Sequence, residues 1–287
     1  MRGLGRFAIA GLVLAATGCL LGQGRQPAPV SPPVKHIYFG FDKDGYPGDD
    51  LLPTLRKDFA YTGYWLNDPP GMKSNPWEGK RGVVYAAGFG FLLLFNGRLD
   101  AEILDAKNQG RDAAALGRDD AAAAAAAAGR EGFPAGAVIF LDQEEGGRLL
   151  AEQAEYVGAW IAAVDQRGYR AGVYGSGIPV PAGGSKMSTA QDVAARFPQA
   201  ALWVWNDRCP PAPGCVVPGG PMDPAQGGSP RALVWQYAQS PRRPEDTGGC
   251  RRTYAADGRC YAPGMVHSEG SYVDLDVSLT PDPSRGR

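Results

Sequence analysis

Histidine is almost absent from this chain. Among 287 residues there are two, His36 and His267. Barrel deacetylases and phosphodiesterases that work through metal-bound imidazoles draw on more than that, so no metal site is expected. A Ser-His-Asp hydrolase would need a G-x-S-x-G strand-turn-helix context, and none occurs. Gly175-Ser176-Gly177 reads instead as a tight turn, and both histidines read as structural or solvated. Excess charge is missing too: 29 Lys and Arg against 30 Asp and Glu leave −1. A pI near 6.2 offers no basic field to a nucleic-acid backbone, so no nucleic-acid partner is expected. Gly88-Phe89-Gly90 and Gly146-Gly147 are too short for phosphate loops, and no Lys-Ser/Thr pair follows them. That removes a nucleotide site, and no cofactor is expected.

What is present begins at the amino terminus. Arg2 and Arg6 precede the apolar run from Phe7 to Ala16, and Ala16-Thr17-Gly18-Cys19 follows. This is the layout of an export signal. The run is shorter than the ~20 residues that span a bilayer. It resembles a bacterial lipoprotein signal spanning 1–19, with Cys19 the lipidated residue; an ordinary secretory cleavage nearby is the alternative. Residues 20–34 contain Pro27, Pro29, Pro32 and Pro33 and read as an extended linker. The expected location is the cell envelope, on the periplasmic or cell-surface side, with the lipid holding the protein to a membrane.

The other cysteines are Cys209, Cys215, Cys250 and Cys260. In an exported chain an even number suggests disulfides, and four cysteines allow three connectivities. The short-range pairing 209–215 with 250–260 is favoured; zinc is the rival reading, but these spacings fit no common zinc pattern.

Apolar runs alternate with helical patterns along the rest of the chain. Strands are predicted at 36–42, 60–65, 89–95, 138–141, 170–175, 201–206, 232–237 and 272–277. Helices are predicted at 50–59, 77–87, 112–129, 149–166 and 189–196. The third of these holds eight consecutive alanines, which favour helix but bury little surface each, so it reads as a covering helix. Eight strands with helical links and no 20–50-residue repeat predict an α/β fold of one domain, a (β/α)8 TIM-like barrel over 35–278. Disulfide-held loops are expected late in the chain, and residues 279–287 are expected to form a disordered tail.

The chemistry is expected where Val138-Ile139-Phe140-Leu141 runs out onto Asp142-Gln143-Glu144-Glu145-Gly146-Gly147. Alternation along a strand puts Asp142 and Glu144 on one face, with Cα atoms roughly 6.6 Å apart, and turns Glu145 away. One acid of such a pair can hold a raised pKa. The plainer reading is a strand end with solvated acids or a helix cap. In a barrel the site lies at the carboxyl ends of the strands. Asp42, Asp142, Glu144, Tyr174, Trp205, Gln236, Tyr237, Asp274 and Asp276 all fall there. Acids to cleave a glycosidic bond, rings to lie on sugar faces and an amide to bind hydroxyls make up a sugar site.

Gly40-Phe41-Asp42 with Pro47, Leu141-Asp142-Gln143-Glu144, Gly172-Val173-Tyr174, Trp235-Gln236-Tyr237 and Val273-Asp274-Leu275-Asp276 occur in one order along the chain. In that order they resemble the glycoside-hydrolase-like domain of unknown function 1906, a relative of the family 25 lysozymes. The resemblance covers roughly 35–278. It implies a barrel with an acidic mouth, with Glu144 as catalytic acid and Asp142, Asp42 and Asp274 as its companion carboxylates. Two departures stand out. Asp42-Lys43-Asp44 replaces the usual Asp-Val-Ser and adds a cation beside the expected site, unless strand alternation turns Lys43 outward, and Asp276 stands where Asn is usual. The expected function is a lipid-anchored glycoside hydrolase acting on peptidoglycan or another envelope polysaccharide. The alternative is a non-catalytic glycan-binding or scaffold protein on the same barrel.

Overall fold

The computed structural model describes residues 35–209, 222–239 and 273–287, with the backbone alone at 207–209. The export signal, Cys19, the linker, Cys215, Cys250, Cys260 and the Cys209 side chain lie outside the described residues.

The chain opens with β1 (Tyr38–Asp42), the short helix α1 (Leu52–Leu55), β2 (Tyr61–Trp65), α2 (Arg81–Ala86) and β3 (Gly90–Asn96). Helices α3 (Asp100–Asn108) and α4 (Ala113–Glu131) lead to β4 (Val138–Gln143), α5 (Ala151–Gln166) and β5 (Arg170–Ser176). A hairpin of β6 (Val180–Ala182) and β7 (Ser185–Met187) precedes α6 (Thr189–Arg196), β8 (Ala201–Cys209), β9 (Ala232–Ala238) and β10 (Asp274–Ser278). Eight of these strands close a barrel in the order β1-β10-β9-β8-β5-β4-β3-β2, with the hairpin outside it.

The apolar runs fill this barrel and the layer under the helices. Ile139, Phe140 and Leu141 are fully buried, each side chain contributing about 1.5–3 kcal/mol. The alanine-rich α4 starts on Asp112, whose carboxylate accepts from the Ala114 and Ala115 amides at 3.3 and 3.2 Å. It ends on Gly132 in a left-handed conformation. Its small side chains let it lie close on α5: a Cβ on Gly117 would stand 2.3 Å from the Tyr156 carbonyl oxygen. Helix α3 and the hairpin were not predicted; α3 turns only Ile103 fully inward and shows no apolar stripe. Among the described residues no helix is long and apolar enough to cross a membrane.

Two expectations are corrected. The eighth barrel strand runs antiparallel to both neighbours, where a (β/α)8 barrel has all strands parallel. A parallel pair needs a crossover from one end of the barrel to the other. Here β9 ends and β10 begins at the same rim, so the chain turns back. Asp274 therefore opens its strand at the mouth, opposite Asp42 in register. The tail is not disordered. The backbone N–H groups at the lower ends of β3 and β4 need acceptors, and residues 279–287 supply them. The Leu93 amide donates to Ser284 Oγ at 2.8 Å, the Phe91 amide to Asp282 Oδ1 at 2.8 Å, and the Val138 amide to the Ser284 carbonyl at 2.8 Å. Ser284 is completely buried.

Candidate active site at the barrel mouth

Where β4 ends, the acids part. Asp142 is buried, while Glu144 is exposed one residue beyond the strand. Glu144 lines a cavity of about 320 Å³ with Tyr174, Ser176, Trp205 and Gln239. Glu145 turns away and fastens the acidic turn to the surrounding helices. Its carboxylate accepts from the Asp100 amide at 2.9 Å and from the Gln153 side chain, and its carbonyl accepts from Thr189 Oγ1 at 2.9 Å. Those three partners sit at the first turns of α3, α5 and α6, so one residue fixes the backbone that carries Glu144.

Across the barrel, a chain of hydrogen bonds links the other acids. Tyr174 donates its phenolic proton to Gln236 Oε1 at 2.9 Å, and Gln236 Nε2 donates to Asp42 Oδ2 at 2.8 Å. Trp203 Nε1 donates to Asp276 Oδ1 at 3.0 Å. Burial pushes the Asp42 carboxyl up to about 8, the charge of Asp274 adds to the rise, and the bonds from Gln236 and Asp276 oppose it. Asp276 is raised well above the carboxylate range, first by burial and then by the charge of Asp42. Space for this arrangement comes from Gly40, which pairs with both Asp276 and Tyr61. A Cβ there would sit 2.1 Å from the Tyr61 ring.

Tyr174 is the hub. Burial raises its phenol well above its ordinary value, and the charges of Asp142, Asp42, Asp274 and Glu144 raise it further. Acids distant in sequence thus act on one side chain at one rim. Lys43 follows Asp42 into the same region: burial lowers its pKa, while the charges of Asp274 and Asp44 hold it up. The rim beside it is pinned by Trp65 and Trp77, whose indole N–H groups each donate to the Lys43 carbonyl at 3.2 Å.

Of the residues singled out in the sequence, Glu144, Tyr174 and Trp205 line the cavity. Asp42, Asp142, Gln236, Tyr237 and Asp276 are buried behind it. Gln236 and Asp276 there bond to Asp42, Tyr174 and Trp203, and Tyr237 packs edge-on against Trp235 and Phe39. Sequence reasoning passed over Ser176 and Gln239, which line the cavity, and Trp203, which holds Asp276. Trp203 was within reach, because it lies two residues before Trp205 on the same face of β8. Ser176 was hidden by its reading as part of a turn. Among the described residues no group of three or more His, Cys, Asp or Glu side chains has the arrangement of a metal site.

A sequence-family model of the Rv2525c-like, glycoside hydrolase-like domain matches residues 71–240. The chain belongs to this family. The Rv2525c-like span contains Asp142, Glu144, Tyr174, Trp205 and Gln236, whereas Asp42 and Asp274 fall outside it. Solved structures share the fold, the next two among them. An uncharacterized protein of B. stearothermophilus is 18% identical with a TM-score of 0.51, covering 84% of this chain and 95% of its own. The Mycobacterium tuberculosis Tat-secreted protein Rv2525c, solved in complex with L-tartrate, is 13% identical with a TM-score of 0.50, covering 86% of this chain and 97% of its own. A bacterial lysozyme from Streptomyces coelicolor is more distant, at 13% identity and a TM-score of 0.43, over 83% of this chain and 90% of its own. No curated protein matches the chain.

Proposed function

We propose that the protein is an exported, lipid-anchored hydrolase that cleaves glycosidic bonds of peptidoglycan or another envelope polysaccharide by carboxylate chemistry. The observation that carries this reading is the gathering of acids at one rim: Asp142 pairs in register with Tyr174, Tyr174 is linked through Gln236 to Asp42, and Asp42 pairs with Asp274, beside a cavity lined by Glu144 and Trp205. The family's glycoside hydrolase-like character agrees with it. In this scheme the accessible acid, Glu144, gives its proton to the oxygen of the leaving sugar. Asp142, buried just behind, stabilises the oxocarbenium-like charge that develops, and water then adds to the anomeric carbon and gives up a proton to the carboxylates, which restores the acid. Trp205 offers a flat face to the sugar ring, and Tyr174 and Gln236 keep the acids of β1 and β4 in one register. Export rests on the sequence of the first 19 residues, and anchoring on Cys19.

The test is release of reducing ends from purified cell-wall glycan strands by wild type and Glu144→Gln. Loss of a general acid lowers the rate by about 10²–10⁴-fold. Equal release by both proteins would remove Glu144 from the mechanism. Sugar binding that survives Glu144→Gln, weakens in Trp205→Ala and never yields product would instead favour the non-catalytic glycan-binding alternative. Membrane fractionation of wild type and Cys19→Ser tests the anchor, the variant being expected in the soluble fraction.

A further inference from the structure

We propose that the floor of the barrel carries a second binding site, for an organic ligand bearing a phosphate-type anion, in the cavity framed by Arg170, Arg231 and Arg285. This cavity has a volume of about 430 Å³ and lies at the end opposite the acids, where β4, β5, β8 and β9 begin. It is independent of the sugar chemistry proposed for the mouth.

Its lining carries more cationic than anionic side chains. Among the described residues the only carboxylate in the lining is Asp282, and its oxygens already accept from the backbone amides of Phe91, Gly286 and Arg287 at 2.8, 3.1 and 3.1 Å. None of the three arginines forms an ion pair among the described residues. Arg231 is held by backbone carbonyls instead, those of Ala194 at 3.0 Å and of Pro198, which orients its guanidinium and leaves its charge uncompensated. The side chains of Arg170 and Arg285 make no hydrogen bond among the described residues. Three cations and one anion leave a formal charge of +2 (3 − 1) in one concavity.

Backbone strain points to the same place. Arg285 is the one non-glycine residue with positive φ among those described, at 54°. A side chain in that region is strained and persists where its surroundings over-determine it. Here buried Ser284 on one side and the Gly286 amide bound to Asp282 on the other impose it. Guanidinium groups bind the paired oxygens of phosphate in bidentate fashion, and several around one cavity suit an anion with more than two oxygens. Val138, Ala201, Leu233 and Pro283 add apolar surface for the organic part, and Gln199 and Thr280 add neutral polar groups. Such a group reaches the floor either on a soluble phosphate ester or on the headgroup of an anionic phospholipid.

The experiment uses the full chain and two probes: glycerol 3-phosphate by calorimetry, and sedimentation with phosphatidylglycerol vesicles against phosphatidylcholine vesicles. The variant is Arg170→Ala/Arg285→Ala, which breaks no bond seen in the fold. The control is Lys73→Ala/Lys186→Ala, which removes the same charge from exposed positions elsewhere. At least one probe is expected to bind wild type and control alike and to bind the arginine variant about tenfold more weakly or worse. Binding of glycerol 3-phosphate alone identifies a soluble ester, and preference for phosphatidylglycerol alone identifies a headgroup. The proposal is overturned if neither probe binds, if the arginine variant binds undiminished, or if the control loses as much.

Discussion

Asp276 lies beside Asp42 across the seam between β10 and β1, and both carboxyls are buried. Trp203 occupies one oxygen of Asp276 and no donor among the described residues reaches the second, so a proton kept by the pair is what would join the two carboxyls. The arrangement has a measurable pH signature. Both carboxyls hold protons more tightly in the folded chain than in the unfolded one. Their contribution to stability is therefore complete below the ordinary value of 3.8 and is lost as pH rises through the folded Asp42 value of about 8. In Asp276→Asn an amide donates to Asp42 permanently and the buried like charge is gone. The melting temperature of this variant should change less between about pH 5 and pH 9 than that of wild type. Parallel curves would mean that the two acids do not share a proton.

Trp203→Phe removes the donor to Asp276 while keeping a ring in the core. It should cost about 1–3 kcal/mol in urea unfolding. Trp205→Phe should cost less, because the Trp205 indole N–H makes no hydrogen bond among the described residues. Equal costs would show that the Trp203 bond contributes nothing to stability.

Gly40→Ala forces a methyl group to within 2.1 Å of the Tyr61 ring. Overpacking of this kind costs about 1–3 kcal/mol and occasionally more. Tyr61→Leu in the same chain should return part of that loss, so the two changes together should cost less than their sum. Strict additivity, measured by urea denaturation, would place the strain elsewhere.

Ser284→Ala leaves the Leu93 amide without its acceptor at the barrel floor, an expected loss of about 1–3 kcal/mol. Amide exchange should report it locally: Leu93 and Phe91 should exchange faster while β9 is unchanged.

Much of the barrel was legible because buried strands are continuous apolar runs and each ends on a turn or an acid. Val138 to Leu141 and Ala232 to Tyr237 could be read directly, and the helix at 189–196 was predicted with its observed ends. The direction of β10 was not legible. Alternation of side chains reads the same along a strand in either sense, and only the rim at which β9 ends decides it. The last nine residues were misread because they are polar and rich in proline, as a solvated tail would be. Their polar groups are spent on backbone partners some 190 residues earlier in the chain, which no local pattern reveals. At the mouth, the gathering of acids could be inferred from strand ends. The exposure of Glu144 and the concealment of Asp276 could not, because depth within a barrel depends on register between strands.

The reversal of β10 has one further effect. A chain that enters its final strand from the mouth leaves it at the floor, so the closing residues are spliced into ladder edges far from the acids. The two poles of the molecule are thereby governed by separate stretches of sequence. Changes after Ser278 can reshape the underside without shifting the pairing of Asp42 with Asp274, leaving each pole open to diversify at its own pace.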